Sequence, residues 1–261
     1  MTEQNDSDAG GRRVKSIDTT CRIIDGLREL DGAGVTELAE HLDLSKATVH
    51  SHLATLTDNE FVIRRGDDYK IGLRFVDFGE YAKNDIPVYE LAKEQVDRLA
   101  AETSEVAQFM VEEHGKGVYL HKSRGENAIQ TSSYTGYRKH LHCTALGKAI
   151  LSQLDDTRIR EIAAKTGLPQ RTANTITTVE SLVDEVDQIR TDGVAFDDEE
   201  ILEGMRCVAA PVTHPSGEIH GAISVSGPTS RFKGERFREE LPEIVSGAAN
   251  IIEVNASQAV Q

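Results

Sequence analysis

Apolar positions in the first seventy residues recur at three- and four-residue spacing and then switch to alternation. Ile17, Ile23, Ile24, Leu27 and Leu30 mark one helical face, with Ser16 as the N-cap candidate and DGAG as the break. Thr36 is the cap candidate for a second short helix, TELAEHL. Ser45 caps a third, SKATVHSHLATLTDNE, in which Val49, Leu53 and Leu56 fall at i, i+4 and i+7 and form the stripe to be buried. FVIRRGDDYKIG then gives two short β-like runs around Gly66-Asp67-Asp68, a hairpin signal. Three helices and a hairpin over residues 12–72 make a winged helix-turn-helix, preceded by a polar, disordered lead-in over 1–11.

Beyond it, LRFVDFGEYAKND continues as an amphipathic linker helix over 73–85, and Pro87 opens a longer helix, VYELAKEQVDRLAAET. The period then changes. VAQFMVEE and GVYLHKS, joined at His114-Gly115-Lys116, predict a strand hairpin, and AIQTSSY a third strand. KHLHCTALGKAIL leads into a helix, and two polar helices follow. GVAFDDEE, MRCVAAPVTH and EIHGAISVSG predict three more strands before a C-terminal helix. Residues 86–257 are thus expected to form an α+β domain around an antiparallel sheet.

Charge complicates the expectation of DNA binding. The balance is −15, from 29 Lys and Arg against 44 Asp and Glu spread along the whole chain. Such acidity suits a halophilic cytoplasm, where molar salt shortens the Debye length to ~3 Å and screens self-repulsion. No apolar run approaches the ~20 residues of a membrane span, and the polar N-terminus has no secretory h-region. Three distant cysteines, Cys21, Cys143 and Cys207, fit a reducing cytoplasm better than a disulfide framework.

The third helix nevertheless carries the residues a duplex requires. Lys46, Thr48, His50 and Ser51 lie off its apolar stripe and offer donors to phosphates and base edges, unless Ser45 only caps and the others are simply solvated. Arg12, Arg13 and Lys15 make a small basic arm, and Arg64 and Arg65 sit on the wing, whose tip is acidic. A double-stranded operator is the expected partner. Two recognition helices are needed for paired half-sites, so a homodimer or homotetramer is expected.

The stretch Lys139–Leu151 admits several chemistries. His140, His142, Cys143 and Cys207 offer a metal set, though the spacing is tighter than usual zinc pairs and His142 suits a packed loop histidine equally. Cys143 or Cys207 as a nucleophile needs an activating base, and the two together would make a redox pair. The third reading is an anion cradle. Cys143-Thr144-Ala145-Leu146-Gly147 enters a helix whose first N–H groups carry about half a positive charge, so a carboxylate can dock on Ala145 and Leu146. No cofactor, metal or catalytic residue is expected on this reading.

The order of elements and the phrases DLSKATVHSHLATL, HCTALGKAIL, GVAFDDEEILEGMRCVAAPV and AISVSGP resemble the IclR (isocitrate lyase regulator) family of transcription regulators over roughly residues 14–255. The pattern Gly193-x3-Asp197-x2-Glu200-x6-Cys207-Val208-Ala209 carries the likeness most specifically. Thr213 and His214 depart from it, and so do Ser51 and His52 in the third helix, where the family often has a basic residue and a leucine. The resemblance implies a GAF-like effector-binding domain, regulation of a catabolic operon and no enzymatic activity. By motif match it places Asp197, Cys207, Ser224 and Ser226 around a small organic or sugar acid, with Asp197 alternatively a structural anchor. The alternatives are a redox- or metal-sensing regulator of the same build and a GAF-like enzyme using Cys143.

If the acidity is an adaptation to molar salt, removing the screening should weaken the fold. The melting temperature followed by circular dichroism is expected to rise between about 0.1 M and about 2 M KCl. An unchanged value would remove the halophilic reading.

Overall fold

The computed structural model describes residues 14–259, so Arg12, Arg13 and the lead-in lie outside the described residues. The chain divides into two compact units between Ala82 and Lys83.

The first unit contains α1 (Lys15–Glu29), α2 (Val35–Leu42), α3 (Lys46–Asp58) and the hairpin β1 (Val62–Arg65) and β2 (Asp68–Ile71), followed by α4 (Arg74–Asn84) across the boundary. Ile23, Leu27, Leu38, Val49, Leu53, Leu56 and Val62 bury one core, as the helical stripe requires. Ser45 caps α3 as expected, accepting from the Thr48 N–H at 3.1 Å. The other two cap candidates are displaced. α1 starts on Val14 with no side-chain cap, and α2 on Gly34, whose extended backbone lets its carbonyl accept from Leu38 N–H. Ser16 and Thr36 lie inside the first turns. The wing closes on a two-residue turn, with Arg65 paired to Asp68 and Gly66 at φ +64°. The linker helix forms, but its ring side packs back on the wing: Phe61 stacks on Phe78 at 5.6 Å and meets Phe75 at 5.1 Å. The linker therefore falls mostly within the first unit.

In the second unit, α5 (Tyr89–Thr103) precedes the hairpin β3 (Val106–Glu113) and β4 (Lys116–Arg124), whose turn residues His114 and Gly115 both have positive φ. Next come β5 (Arg138–His140), α6 (Ala145–Leu151), α7 (Asp156–Thr166) and α8 (Val179–Asp192). Strands β6 (Ala195–Asp198), β7 (Met205–Thr213) and β8 (Ile219–Pro228) follow, then a π-helical turn, Arg236–Glu240, and α9 (Leu241–Ala259). The sheet is antiparallel throughout, in the order β5-β4-β3-β8-β7-β6. Alternation sends Phe109, Val208, Ile223 and Val225 into one core with α5 and α9, and Met110, Ala209 and Ala222 into another with α6, α7 and α8. The helices thus cover both faces of the sheet.

Residues 128–134 do not form the expected third strand. Their polar groups go to a side chain instead of a ladder: the Lys122 ammonium donates to Thr131 Oγ1 (2.7 Å), the Ser133 carbonyl (2.7 Å) and Ser133 Oγ (3.1 Å). The edge is taken by the three residues of β5.

One ion cluster is buried. Lys148, 1% exposed on α6, donates to Glu200 Oε1 at 2.6 Å and to Glu185 Oε1 of α8 at 2.8 Å. Burial works to lower its pKa, but the two carboxylates outweigh burial and raise it. Replacing Lys148 with Ala would leave Glu200 buried without its cation. We expect a loss of ~3–5 kcal/mol in urea unfolding. A loss under about 1 kcal/mol, the level of a surface pair, would refute this role.

Candidate functional site

Between the sheet and α6 lies a cavity of about 360 Å³. Gln108, Tyr119, Cys207 and Ser226 rise from the strands, and Thr144 and Leu146 come from the turn into α6. Lys139 borders the cavity from β5, and Gln130–Ser133 cross it as a segment. Asp197, Ile201, Leu202 and Met205 close the remaining side.

The segment and the strands are tied together. Gln108 Nε2 donates to Ser133 Oγ at 2.7 Å, and Lys122 holds the same hydroxyl. On the other wall Asp197 Oδ1 accepts from Glu200 N–H at 2.8 Å. Thr175 Oγ1 donates to the Glu200 carbonyl at 2.6 Å, and Thr172 Oγ1 to the Glu199 carbonyl at 2.6 Å. Asp197 is therefore both an anchor of this loop and a wall of the cavity. Burial, then the neighbouring Glu200 carboxylate, pushes its pKa up to about 7.

Cys207 and Ser226 stand opposite each other in the ladder, and the Ser226 hydroxyl donates to Cys207 Sγ at 3.0 Å. Burial and then Asp197 push the Cys207 thiol up to about 12, and the same causes take Cys143 to about 11. Neither carries the thiolate character that nucleophilic or redox chemistry requires. Cys143 turns its sulfur to the His140 carbonyl at 3.7 Å and does not line the cavity. His142 is buried and donates from Nε2 to the Pro169 carbonyl at 3.3 Å, its pKa pushed down to about 4 chiefly by burial. It is a packed loop histidine. Among the described residues, no group of three or more His, Cys, Asp or Glu is placed to hold a metal ion.

Two of the six expected effector residues lie behind the lining. Ser224 shares a face with Ser226, yet it sits mid-sheet between Gln108 and Ala209 and is fully buried. Its hydroxyl makes no well-formed hydrogen bond and only approaches the Cys207 sulfur. Ala145 is also fully buried, its methyl packed in the apolar cluster with Leu146. Thr144 caps α6 by accepting from Gly147 N–H at 3.0 Å, leaving the Ala145 and Leu146 amides ahead of the first helical bond, Lys148 N–H to the Thr144 carbonyl. Gly147 is small for the chain's own sake, not a ligand's: a Cβ there would stand 2.2 Å from the Leu141 carbonyl oxygen. Sequence reading missed Gln108, Lys122 and Lys139. For Gln108 and Lys122 the available signal was a polar residue inside a predicted strand; Lys139 stands on the short polar strand β5, which no alternation announces.

In the first unit, Lys46 and His50 are exposed one turn apart on α3. Thr48 is half-buried with Oγ1 on Ser45 Oγ at 2.8 Å, so its hydroxyl serves the cap, and the Ser51 hydroxyl donates to the Ala47 carbonyl at 3.0 Å. Arg64 and Arg65 are both exposed, but Arg64 folds onto its own turn, donating to the Gly66 carbonyl at 2.9 Å and standing 3.7 Å from Asp67. The departure at His52 has a local cause: its Nδ1 lies 2.9 Å from Thr20 Oγ1 and joins α3 to α1. Likewise Thr213 ties β7 to α9, its N–H and hydroxyl both donating to Glu253 Oε1 at 2.6 Å.

Comparison with known proteins places both units. The description of the IclR helix-turn-helix domain matches residues 16–66, and that of the C-terminal domain of bacterial IclR transcriptional regulators matches residues 81–254. The probable HTH-type transcriptional regulator ArcR of Halobacterium salinarum is 34% identical over 252 residues, 95% of this chain and 96% of its own. HTH-type transcriptional regulator KdgR of Escherichia coli is 30% identical over 240 residues, 91% of each chain. The crystal structure of Thermotoga maritima IclR shares the fold with a TM-score of 0.76 at 26% identity, covering 94% of this chain and 100% of that one. With both domains matched in order and relatives aligned over nearly its whole length, the chain belongs to the IclR family of DNA-binding transcriptional regulators, which are not enzymes.

Proposed function

We propose that the cavity between the sheet and α6 takes a small anionic metabolite, an organic or sugar acid, and that its occupancy controls operator binding at a catabolic operon. The observation carrying this reading is the composition of the lining: a modest volume with Lys139, Gln108, Thr144 and Ser226 converging on it beside the start of α6. Asp197 and Leu146 complete the contacts, with Cys207 a soft neutral wall. Ala145 contributes its amide and Ser224 supports Cys207 from beneath. On DNA, Lys46 and His50 reach the bases, while Thr48 and Ser51 act through the cap and the backbone path of α3. Arg64 and Arg65, with Arg12 and Arg13, contact phosphates. A homodimer or homotetramer supplies the paired helices, and the exposed apolar side chains Val76, Phe78 and Tyr81 of α4, with Leu73 just before it, support self-association.

For DNA, Lys46→Ala and His50→Ala should each cost ~1–3 kcal/mol in operator footprinting at constant salt. Protection equal to the parent protein in both would refute the assignment.

For the effector, a thermal-shift screen of organic and sugar acids in molar KCl should find a stabilising ligand. Ser226→Ala should weaken it by roughly two- to tenfold, as loss of one hydrogen bond implies, leaving operator binding without ligand intact. The pH dependence has a definite sign. Asp197 is neutral below its pKa of about 7 and charged above it, so affinity for an anion should fall as pH rises through that value. Asp197→Asn should flatten the profile. A profile equally steep in that variant would remove Asp197 from the ligand's surroundings.

A further inference from the structure

Positive charge gathers beside the cavity with no carboxylate to answer it. The β4–β5 register sets Lys116 opposite His140, and the Lys116 ammonium stands 2.9 Å from His140 Nε2. An ammonium can only donate, so Nε2 accepts and the ring stays neutral. The His142 ring lies 5.6 Å from that of His140, and its bond to the Pro169 carbonyl holds the loop that carries Arg171 against the same spot.

Lys116 is depressed by burial, then by Arg171 and Arg138; His140 by burial, then by Lys116 and Arg171, with Lys139 adding less. Arg138 is answered by Glu113 at 2.9 Å. Among the described residues, Lys116, Lys139 and Arg171 make no ion pair with a carboxylate. The chain does not lack acids: it holds 44 of them, and Arg190 alone pairs with both Asp156 and Asp187. Mutually repelling groups drawn from β4, β5 and the loop after α7 cost stability unless an anion joins them.

We propose that Lys116, His140 and Arg171, flanked by Lys139, form a second anion site that takes a phosphate group, free or carried on a small metabolite. It does not depend on which acid fills the cavity, whose lining excludes Lys116, His140 and Arg171. A monoanion would answer only one of the two permanent cations Lys116 and Arg171, whereas a tetrahedral dianion presents separate oxygens to donors from three directions. An oxygen accepting from Lys116 would release His140 Nε2. The ring then takes one proton from solvent and becomes a further donor to the same anion. Binding therefore absorbs a proton, with the Cys143 thiol and neutral His142 as bystanders.

Calorimetric titration of the full chain at constant ionic strength tests this, with inorganic phosphate, glucose 6-phosphate and acetate as probes. Saturable phosphate binding is expected, with a heat that varies with the buffer's ionisation enthalpy in the sense of proton uptake. Lys116→Gln plus Arg171→Gln should weaken it at least about tenfold, since each removes a charge-assisted bond. Arg171→Gln alone, at an exposed side chain, should weaken it about threefold or more. Ser226→Ala should leave it unchanged, even where the cavity reading fails. Tighter glucose 6-phosphate than inorganic phosphate identifies a phosphorylated metabolite, and the reverse identifies the free ion. No saturable phosphate binding, equal binding in the double variant, acetate binding as tightly, or loss in Ser226→Ala would each overturn the proposal.

Discussion

Lys148 carries one positive charge into the layer between α6 and the sheet, and the second unit is arranged around keeping it paired. Its two carboxylates come from α8 and from the loop after β6, so one ammonium joins three separate parts of the fold. Glu200 keeps one oxygen on Lys148 and leaves Oε2 without a partner, so burial and Glu185 make it easier to protonate while the lysine stays charged. Glu200 also gives its N–H to Asp197 and its carbonyl to Thr175. The cavity wall is held by the same residue that neutralises the buried lysine. An apolar trio would fill this volume at lower desolvation cost, but it would remove the Glu200 carboxylate that, after burial, raises the pKa of Asp197.

That coupling explains how Asp197 can be both anchor and wall. One oxygen accepts the Glu200 amide, and the group sits beside a second carboxylate under heavy burial, which raises its pKa far above that of a free aspartate. The sign follows for the fold as well. A carboxyl raised in the native state binds its proton more tightly than in the unfolded chain, so its contribution to stability is lost as pH rises from the ordinary carboxylate range through about 7.

Local periodicity carried much of the fold into view. The α3 stripe, the wing turn and the β3–β4 hairpin depend on spacing and on turn residues that tolerate positive φ, all written within a few residues. Ser16 and Thr36 failed as caps because backbone conformation at Val14 and Gly34 sets the first turns. AIQTSSY has strand-like composition, but Lys122 draws its hydroxyls and carbonyls away from any ladder. Lys148 in ALGKAIL looks like the polar side of a surface helix. Its partners lie 37 and 52 residues further on, beyond the reach of any spacing argument. The pairing of Ser224 and Ser226 on one face was legible, whereas their different depths depend on the strands that flank them.

The net charge and the local chemistry point in opposite directions, and distance decides between them. A balance of −15 acts over the whole surface, but salt cuts its range to ~10 Å at 0.1 M and ~3 Å at 1 M. Contacts under 3 Å are screened far less than that long-range field. Lys122 reaches its four acceptors, and Lys116 its histidine, inside that distance or close to it. On α3, Lys46 and His50 face outward with no acid in the first turn. In concentrated salt, counterion release contributes little to DNA affinity and direct contacts must carry more. Short-range geometry rather than net charge therefore decides where a chain this acidic presents donors to an anion.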